Sequence, residues 1–226
     1  MALRRFELVA FDIDGTLVTA PGGLTVWEVL NERFVGGSAI NRKRYRAYRE
    51  GRLSYAEWVA LDVQGWREAG ATRPSMVEAL APLRLVAGAR RTLEALRRAG
   101  TRLVAISGTL DLLIETLLPD HPFEEIRANR IRFDEEGRIH GWTATDHDME
   151  GKAVALREIA DARDIPLDLC AFVGDSGNDV WAAREAGFAI AVNPRSAELE
   201  EAADAVIRDE DLTSILPFLM GEREVP

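Results

Sequence analysis

The acidic pair Asp12 and Asp14 has the clearest chemical potential in this sequence. Both residues stand in the run DIDGT at 12–16, and they follow a short, mostly apolar run at 6–11. Such a run is typical of a buried parallel strand that enters a glycine turn. A carboxylate in that place can attack phosphorus and form an acyl-phosphate, and we assign this role to Asp12. Asp14 can protonate the leaving alkoxide and later activate water.

Further polar groups follow other predicted strands or begin a predicted helix, namely Ser107, Gly108, Lys152, Asp175 and Asp179. Ligands of an open α/β sheet bind outside the carboxyl ends of its strands, so we expect these groups to converge. Mg²⁺ binds one or two carboxylates together with phosphate oxygens, which makes Asp175 the natural further ligand beside Asp12. Ser107 and the amide of Gly108 can donate hydrogen bonds to phosphate oxygens, and Lys152 can supply positive charge. Together these groups are suited to phosphoryl transfer from a phosphate monoester.

These side chains need a scaffold, and the sequence predicts alternating strands and helices. Apolar runs of strand length alternate with segments of helical periodicity. The predicted strands cover 6–11, 102–106, 125–133, 138–142, 169–173 and 188–192, and the predicted helices cover 89–99, 152–162, 179–186 and a segment that ends at 118. Short strands separated by helices predict an α/β fold with a doubly wound parallel sheet.

The stretch 24–83 interrupts this alternation. Aromatic and aliphatic residues recur there at helical spacing, without strands between them. We therefore predict a helical cap domain at 20–83, inserted after the first motif, and a catalytic core formed by 1–19 and 84–226. The linkers at 20–23 and 83–88 contain glycine or proline, so lid motion through them is a hypothesis.

Composition and charge narrow the classes of function. Of the 226 residues, 47% are hydrophobic and 29% are charged, which is ordinary for a folded globular protein. The net charge of −10 gives no electrostatic basis for binding nucleic acid or an anionic membrane. No segment approaches the roughly 20 apolar residues of a membrane-spanning helix, and the apolar run around Cys170 predicts a buried thiol. We expect a cytoplasmic protein with a small-molecule substrate, either a monomer or a homodimer.

Four short motifs are shared with a known superfamily. They are DIDGT at 12–16, ISG at 106–108, Lys152 after Gly151, and GDSGND at 174–179. In residue type, order and spacing they resemble the four motifs of the haloacid dehalogenase (HAD) superfamily. The sequence is most similar to the phosphoserine phosphatase-like branch, over nearly the whole chain, with the closest part at 128–179 and the weakest in the predicted cap.

This resemblance implies a Rossmann-like HAD core, an inserted helical cap and a magnesium-dependent phosphatase. It implies that Mg²⁺ is bound by Asp12, the backbone carbonyl of Asp14, and Asp175. Asp179 would support these ligands, and Asn178 would help to hold the substrate. Dehalogenases of the superfamily lack the second aspartate, so Asp14 excludes that activity and favours a phosphatase or a mutase.

The substrate is less well indicated than the reaction. Phosphoserine is the leading candidate because of the family branch. Similar phosphoserine phosphatases, however, carry a glutamate for the substrate amino group shortly after the nucleophile, where this chain has Pro21. Glu28 is a substitute only if the cap loop is rearranged. Phosphocholine, phosphoethanolamine and sugar phosphates therefore stay open, as do a phosphotransferase or mutase using the same aspartyl-phosphate and a non-catalytic binding module.

Two groups of residues in the predicted cap are candidates for substrate recognition. One is the basic run Arg42, Lys43, Arg44, Arg46 and Arg49. We predict that it forms a solvated face, and the alternative is that it recognises a carboxylate or phosphate of the substrate. The other is a set of aromatic residues, for which packing inside the cap is the main prediction and a box for a quaternary ammonium group the alternative: Trp27, Phe34, Tyr45, Tyr48, Trp58 and Trp66.

Overall fold

The computed structural model describes residues 6–37 and 39–221. Its strands are β1 Leu8–Phe11, β2 Val18–Thr19, β3 Arg84–Leu85, β4 Arg102–Leu110, β5 Glu125–Phe133, β6 Ile139–Thr143, β7 Cys170–Gly174, β8 Phe188–Val192 and β9 Ala205–Ile207. Its helices are α1 Val26–Phe34, α2 Ala39–Arg49, α3 Tyr55–Glu68, α4 Arg73–Ala79, α5 Ala89–Arg98, α6 Asp111–Leu117, α7 Gly151–Asp161, α8 Val180–Glu185, α9 Ala197–Ala202 and α10 Leu216–Leu219. The outer ends of the predicted core, 1–5 and 222–226, and Ser38 of the predicted cap lie outside the described residues.

A seven-stranded sheet forms the centre of the described part of the chain, in the order β6-β5-β4-β1-β7-β8-β9. Its neighbouring strands are parallel except for β5 and β6. The chain builds outward from β1 to β4 and β5, and then returns to the other side of β1 with β7, β8 and β9. This is the strand order of a Rossmann-like, doubly wound sheet, whose direction of winding reverses between β1 and β7. The predicted fold is confirmed.

Apolar side chains alternate across β1 and anchor helices on both faces of the sheet. Val9 and Phe11 pack in the cluster that contains α5, whereas Leu8 and Ala10 pack with α7. All four side chains are fully buried. A strand buried on both faces has a continuous apolar sequence, which is why β1 is predictable and why Asp12 at its end has a fixed position.

Helices α1–α4 lie between β2 and β3, and we call this block the helical insertion. The two short strands pair antiparallel, with Val18 opposite Leu85, so the chain leaves and re-enters the core at one place. The insertion shares a hydrophobic cluster with the sheet, and the amide of Arg73 donates to the carbonyl oxygen of Gly137 at 2.7 Å. The predicted helices at 24–83 are present, while the division into a cap at 20–83 and a core at 1–19 and 84–226 stays a prediction.

Local features explain where the elements differ from the predicted ones. β4 continues to Leu110 instead of ending at Ile106, with a shift of register between these residues. β2 and β3 have two residues each, which are too few to show a period. The short elements α9, β9 and α10 after β8 were not predicted, and they too are brief for a periodic signal. The end of β4 is therefore misplaced in the prediction, and Ser107 and Gly108 lie within this strand instead of after it. The ends of β1 and β7, which carry Asp12 and Asp175, are as predicted within one residue.

Candidate active site

Asp12 and Asp175 meet at the point where the winding of the sheet reverses. Asp12 directly follows β1, and its amide donates a hydrogen bond to the carbonyl oxygen of Val173 in β7 at 2.9 Å. Asp175 directly follows β7. Only 2% of Asp12 and 1% of Asp175 is exposed. Because β1 and β7 are hydrogen-bonded neighbours, the sheet brings together two carboxylates that are distant in the chain.

Lys152 lies in the first turn of α7 and is completely buried between two carboxylates. Its Nζ donates to Oδ1 of Asp12 and to Oδ1 of Asp179, each at 2.6 Å. Burial alone lowers the pKa of Lys152, but the charges of Asp12 and Asp179 outweigh it and raise the pKa above its ordinary value. The ammonium group therefore stays charged and fixes one oxygen of Asp12.

Asp179 uses both of its oxygens inside the protein. Oδ1 accepts from Lys152, and Oδ2 accepts from the amides of Asp175 and Ser176 at 2.9 and 3.0 Å. A carboxylate that is saturated in this way orients its neighbours rather than binding a ligand itself. This geometry agrees with the supporting role that the resemblance implies for Asp179.

The buried carboxylates can hold a metal ion. Oxygens of Asp12, Asp175 and Asp179 lie within 4.8 Å of one another. Asp12 and Asp175 are the better placed ligands, because both oxygens of Asp179 accept short hydrogen bonds, whereas Oδ1 of Asp175 accepts only a long one, from Thr16 at 3.4 Å. Burial and the neighbouring carboxylates raise the pKa of Asp12 well above its ordinary value and the pKa of Asp175 to about 6. Asp12, Asp175 and Asp179 carry three formal negative charges, and the paired Lys152 and Arg195 supply two positive ones. Oxygen donors with such a surplus suit a hard cation.

Arg195 binds the carboxylate of Asp175. Sequence reasoning missed this residue. Its Nε and Nη2 donate to Oδ2 of Asp175 at 2.8 and 2.7 Å, and its Nη1 donates to the carbonyl oxygen of Gly23 at 2.8 Å. Arg195 follows β8, so the rule that selected polar residues after strand ends could have found it. It joins the sheet to the linker that leads into the helical insertion.

Gly15 allows this close approach. Its φ is +92°, and a Cβ built on it would lie 2.2 Å from Oδ2 of Asp175 and 2.4 Å from Nη2 of Arg195. Such a φ is unfavourable for other residues, and the contact excludes a side chain even without the strain. The glycine of the DIDGT run is therefore required by both the turn and the neighbouring carboxylate.

Ser107 and Gly108 lie on β4 beside Asp12, in the segment where the register shifts. The carbonyl oxygen of Gly108 accepts hydrogen bonds from Nε1 of Trp27 and from Nδ2 of Asn129, both at 2.8 Å. A Cβ on Gly108 would lie 2.1 Å from Oδ2 of Asp148, so the site needs a bare backbone there. These bonds hold the two residues in place for an oxyanion.

Asp14 is half-buried, and its Oδ1 accepts a hydrogen bond from the amide of Val26 at 3.3 Å. Burial raises the pKa of Asp14 to about 6, against the opposing effects of the nearby Thr109 hydroxyl and of the hydrogen bond from the amide of Val26. A carboxyl group with this pKa can hold a proton close to neutral pH, as a general acid and base requires.

A cavity of about 320 Å³ lies between the sheet and the helical insertion. We call its lining at the strand ends the sheet wall, which consists of Asp12, Asp14, Ser107, Gly108 and Asn178. We call its lining from the insertion the helical wall, which includes Trp27, Asn41, Tyr45, Tyr55, Trp58 and Asp62. Lys152, Asp175 and Asp179 lie behind the sheet wall. The structure thus brings all eight predicted site residues together, while their catalytic and ligand roles stay predictions.

Comparison with known proteins decides the family. A family model described as haloacid dehalogenase-like hydrolase matches residues 9–184. The chain belongs to the haloacid dehalogenase-like hydrolases. The resemblance that the four motifs indicate is confirmed.

Two relatives of this haloacid dehalogenase-like hydrolase are named phosphoserine phosphatases. Phosphoserine phosphatase SerB2 of Mycobacterium tuberculosis is 32% identical over 98% of this chain and 52% of its own length. The phosphoserine phosphatase of Archaeoglobus fulgidus is 30% identical over 96% of this chain and 60% of its own length. The chain therefore spans about half to three fifths of the length of these relatives.

A solved structure shows the same fold. It is described as a phospho-aspartyl intermediate analogue of phosphoserine phosphatase, and it superimposes with a TM-score of 0.76 over 96% of this chain and 100% of that chain. The two sequences are 23% identical. The agreement covers the helical insertion as well as the sheet.

The aromatic residues of this hydrolase divide between core and cavity. Trp66 is completely buried, as predicted for packing inside the insertion. Trp27, Tyr45 and Trp58 instead line the cavity, as does Tyr55, which was not in the predicted set. The ring centre of Trp58 lies 6.0 Å from Tyr45 and 6.1 Å from Tyr55. The prediction of cap packing is thus correct for only part of the set.

The basic run on α2 is mostly a solvated face. Lys43, Arg46 and Arg49 are exposed, and Arg42 is exposed at the rim of the cavity. Arg44 differs, because it turns inward and forms an ion pair with the buried Asp62. The main prediction for this run therefore describes all of its members except Arg44.

Proposed function

We propose that this hydrolase is a Mg²⁺-dependent phosphatase of the phosphoserine phosphatase type, which cleaves small phosphate monoesters through an aspartyl-phosphate on Asp12. The pairing of Lys152 with one oxygen of Asp12, beside a cavity that also receives Asp14 and Ser107, supports this proposal most. A carboxylate nucleophile, a proton donor and a hydrogen-bond donor then border one space. The names of the two relatives add support.

The first half of the reaction transfers the phosphoryl group to the protein. An oxygen of Asp12 attacks phosphorus, and the Asp12–phosphorus bond forms as the ester bond to the alcohol oxygen breaks. Asp14 gives its proton to that departing oxygen, and its pKa of about 6 favours this donation. Lys152 keeps Asp12 in line, and Ser107 donates a hydrogen bond to the phosphoryl oxygens.

The second half regenerates the protein. The Asp14 carboxylate takes a proton from water as the water oxygen attacks phosphorus, and the bond between phosphorus and Asp12 breaks. Inorganic phosphate leaves, Asp12 is again a carboxylate, and Asp14 is again protonated. Atoms and charges balance with water as the co-substrate.

The donor set fits Mg²⁺, and we assign its binding to Asp12, Asp175 and the backbone carbonyl of Asp14, with Asp179 in support. Buried carboxylate oxygens with a surplus of negative charge are the observation behind this assignment. The bound ion would reduce the repulsion between Asp12 and the substrate phosphate. We assign to Asn178 the role of holding the substrate, and its position in the cavity lining supports this assignment; its Nδ2 donates to Oδ1 of Asp148 at 2.9 Å.

Phosphoserine is the reference substrate because the relatives are named for it. Pro21 is exposed in the turn before α1, so it offers no group to the cavity. Glu28 lines the cavity, but its Oε2 accepts from the amide of Thr25 at 3.0 Å as part of a helix cap. The recognition of a phosphoserine amino group by a glutamate in this region would therefore require Glu28 to leave its cap.

A cytoplasmic location and a monomer or homodimer are part of the same proposal. Within residues 6–37 and 39–221, no helix is long and apolar enough to cross a membrane. Cys170 is a buried free thiol, which suits a reducing compartment. Cell fractionation and light scattering of the purified protein test these two statements.

The deciding experiment measures phosphate release from a panel of phosphomonoesters, with Mg²⁺ and with excess chelator. We expect metal-dependent release, and we expect Asp175→Asn to lose the rise in unfolding temperature that Mg²⁺ gives to the parent protein. Added alcohols that accept the phosphoryl group would identify a phosphotransferase instead. Absence of metal-dependent release from every ester would refute the proposed hydrolase.

A further inference from the structure

The helical wall contains a carboxylate oxygen that is buried without a hydrogen-bond partner. Asp62 of α3 is completely buried, and both side chains that bind it use the same oxygen. Nδ2 of Asn31 donates to Oδ1 at 2.7 Å, and Arg44 pairs with Oδ1 as well. Oδ2 has no partner among the described residues. An unpaired buried carboxylate oxygen is costly, so it points to a group that arrives from outside.

Asp62 cannot relieve this by turning. Oδ1 of Asn31 accepts a hydrogen bond from Nε1 of the buried Trp66 at 2.8 Å, which fixes the amide of Asn31 with its NH₂ group towards Asp62. The row of Trp66, Asn31 and Asp62 therefore sets which carboxylate oxygen is used inside the insertion. The other oxygen is left without a protein partner in a residue that lines the cavity.

Other unsatisfied polar atoms collect around the same cavity. Six side-chain polar atoms in residues 6–37 and 39–221 are buried without a partner, and besides that of Asp62 three belong to lining residues: Asn41 Oδ1, Trp58 Nε1 and Thr109 Oγ1. Burial raises the pKa of the Asp62 carboxyl group, and the nearby indole N–H of Trp58 is among the groups that oppose this rise, although the two do not form a hydrogen bond of normal geometry. Two of these atoms, on Asp62 and Asn41, are acceptors, which require a donor.

Aromatic side chains stand beside these acceptors. Tyr45, Tyr55 and Trp58 line the cavity and contact one another. The faces of such rings attract cations. The helical wall thus contains hydrogen-bond acceptors without donors as well as aromatic faces. A cation with N–H groups can donate hydrogen bonds to the acceptors and can also bind to the aromatic faces.

The cations of the protein near the cavity are already engaged. Arg44 is held by Asp62, Arg195 by Asp175, and Lys152 by Asp12 and Asp179. Arg42 lines only the exposed rim. A carboxylate on the substrate therefore finds no buried cation to spare in the described residues.

We propose that the alcohol part of the substrate carries an ammonium group, bound between Asp62 and the aromatic faces of the helical wall. The inference rests on the proposed phosphatase function and gives its substrate class, namely phosphate monoesters of amino alcohols. The phosphate lies at the sheet wall, and the ammonium group lies at the helical wall. A carboxylate such as that of phosphoserine adds nothing to recognition.

The test compares esters that differ in charge and not in size. One pair is 2-aminoethyl phosphate and propyl phosphate, and the other is phosphocholine and 3,3-dimethylbutyl phosphate. We expect kcat/KM for at least one ammonium ester to exceed that of its neutral partner about 10-fold or more. A larger preference in the 2-aminoethyl phosphate pair would show that N–H groups contribute most to recognition of the cation. A larger preference in the phosphocholine pair would show that the aromatic faces contribute most. Equal rates within both pairs would overturn the inference.

Phosphoserine provides a third arm. Because no buried cation is free for its carboxylate, kcat/KM for 2-aminoethyl phosphate should equal or exceed that for phosphoserine. A clear preference for phosphoserine over 2-aminoethyl phosphate would show that the cavity recognises a carboxylate, and it would refute the proposed substrate class.

Two variants locate the preference. Asp62→Asn keeps the shape of the side chain and removes its charge, so the ratio of kcat/KM between the ammonium ester and its neutral partner should fall about 10-fold. Tyr45→Leu changes a ring that is 41% exposed, and the same ratio should fall about 3-fold. Arg46→Ala, on the exposed face of the same helix, is the control. Equal losses for both esters in the two variants would indicate a structural role and contradict the inference.

Binding measurements separate this inference from the proposed function. Calorimetric titration of Asp12→Asn with 2-aminoethyl phosphate and propyl phosphate needs no turnover. Preferential binding of the ammonium ester supports the inference even if no ester is hydrolysed, in which case only the proposed function fails. Hydrolysis of a general aryl phosphate without any preference for ammonium esters would leave the proposed function standing and refute the inference.

Discussion

In the sheet wall and behind it, charged groups meet partners inside the protein, whereas the helical wall leaves several polar atoms unmatched. Lys152 lies between Asp12 and Asp179, and Asp179 uses both oxygens. In the helical wall, one oxygen of Asp62 has no partner. Groups that are held by protein partners keep their geometry before a substrate arrives. The contrast indicates that the groups at the sheet are already in position before the substrate binds. The polar atoms of the helical wall obtain their partners only when the substrate binds.

The largest expected effect concerns the sheet wall. Asp12→Asn removes the nucleophilic charge at nearly constant shape, and we expect turnover to fall about 10⁴-fold or more. Circular dichroism and thermal unfolding should show a folded protein, since the amide can still accept from Lys152. Asp62→Asn is the matched variant of the helical wall, and it should lower turnover of neutral esters far less because Asp62 has no part in the proposed phosphoryl transfer. If Asp12→Asn keeps Mg²⁺-dependent activity, Asp12 is not the nucleophile.

Lys152→Met tests the difference between the two walls by its effect on both stability and turnover. The change leaves Asp12 and Asp179 buried without their common cation, so we expect the free energy of unfolding to fall by about 3–5 kcal/mol. Turnover should fall about 10²- to 10³-fold. Urea unfolding and phosphate release measure the two effects. Lys43→Met, on an exposed position of α2, should change neither, and similar behaviour of both variants would contradict the role given to Lys152.

A pH-dependent difference in stability is the next smaller effect. The pKa of Asp14 is raised to about 6 from an ordinary value of 3.8, so the folded protein binds a proton more tightly than the unfolded chain. This stabilises the fold below about pH 4, and the contribution is lost as pH rises through about 6. In excess chelator, the stability of the parent protein relative to Asp14→Asn should be about 1–2 kcal/mol greater at pH 4 than at pH 7.5. A constant difference in urea unfolding across that range would refute the raised pKa.

The smallest expected effect concerns a contact that joins the two walls. Nε1 of Trp27 donates to the carbonyl oxygen of Gly108 at 2.8 Å, and Trp27→Phe removes that bond while keeping a ring. Because Asn129 still donates to the same oxygen, we expect a loss of only about 0.5–1 kcal/mol in stability and a fall of about 3-fold in kcat/KM. Trp181→Phe, on α8 away from the cavity, is the control. A much larger loss would mean that the walls depend on each other more than their hydrogen bonds indicate.

The sequence predicted the sheet wall because each of its groups is tied to a strand end. β1, β4 and β7 contain short buried apolar runs, and the polar residue after each run falls at the same edge of the sheet. In β4 the apolar run ends at Ile106, although the strand continues to Leu110. Arg195 follows β8 in the same way, so its omission was a gap in applying the rule. The apolar pattern of this single sequence was therefore sufficient to predict these positions.

The helical wall could not be predicted in the same way. Asp62 stands in α3 among residues of helical spacing, and its meaning depends on Asn31 from α1 and Arg44 from α2. Nothing in the spacing of these three residues reveals that the helices pack them together. Likewise, the periodicity that predicts Trp58 as packed and Trp66 as packed does not say which of the two faces the cavity.

Gly15 restricts the substitutions that the protein can tolerate, because it lies against Asp175 and Arg195, which are distant from it in the sequence. A methyl group at this position would overlap the carboxylate of Asp175 and the guanidinium of Arg195. No single replacement at position 15 is therefore neutral, and compensation would need a smaller residue at 175, which would remove a proposed metal ligand. A saturation mutagenesis screen should find position 15 intolerant to every substitution, while exposed positions of α2 accept many.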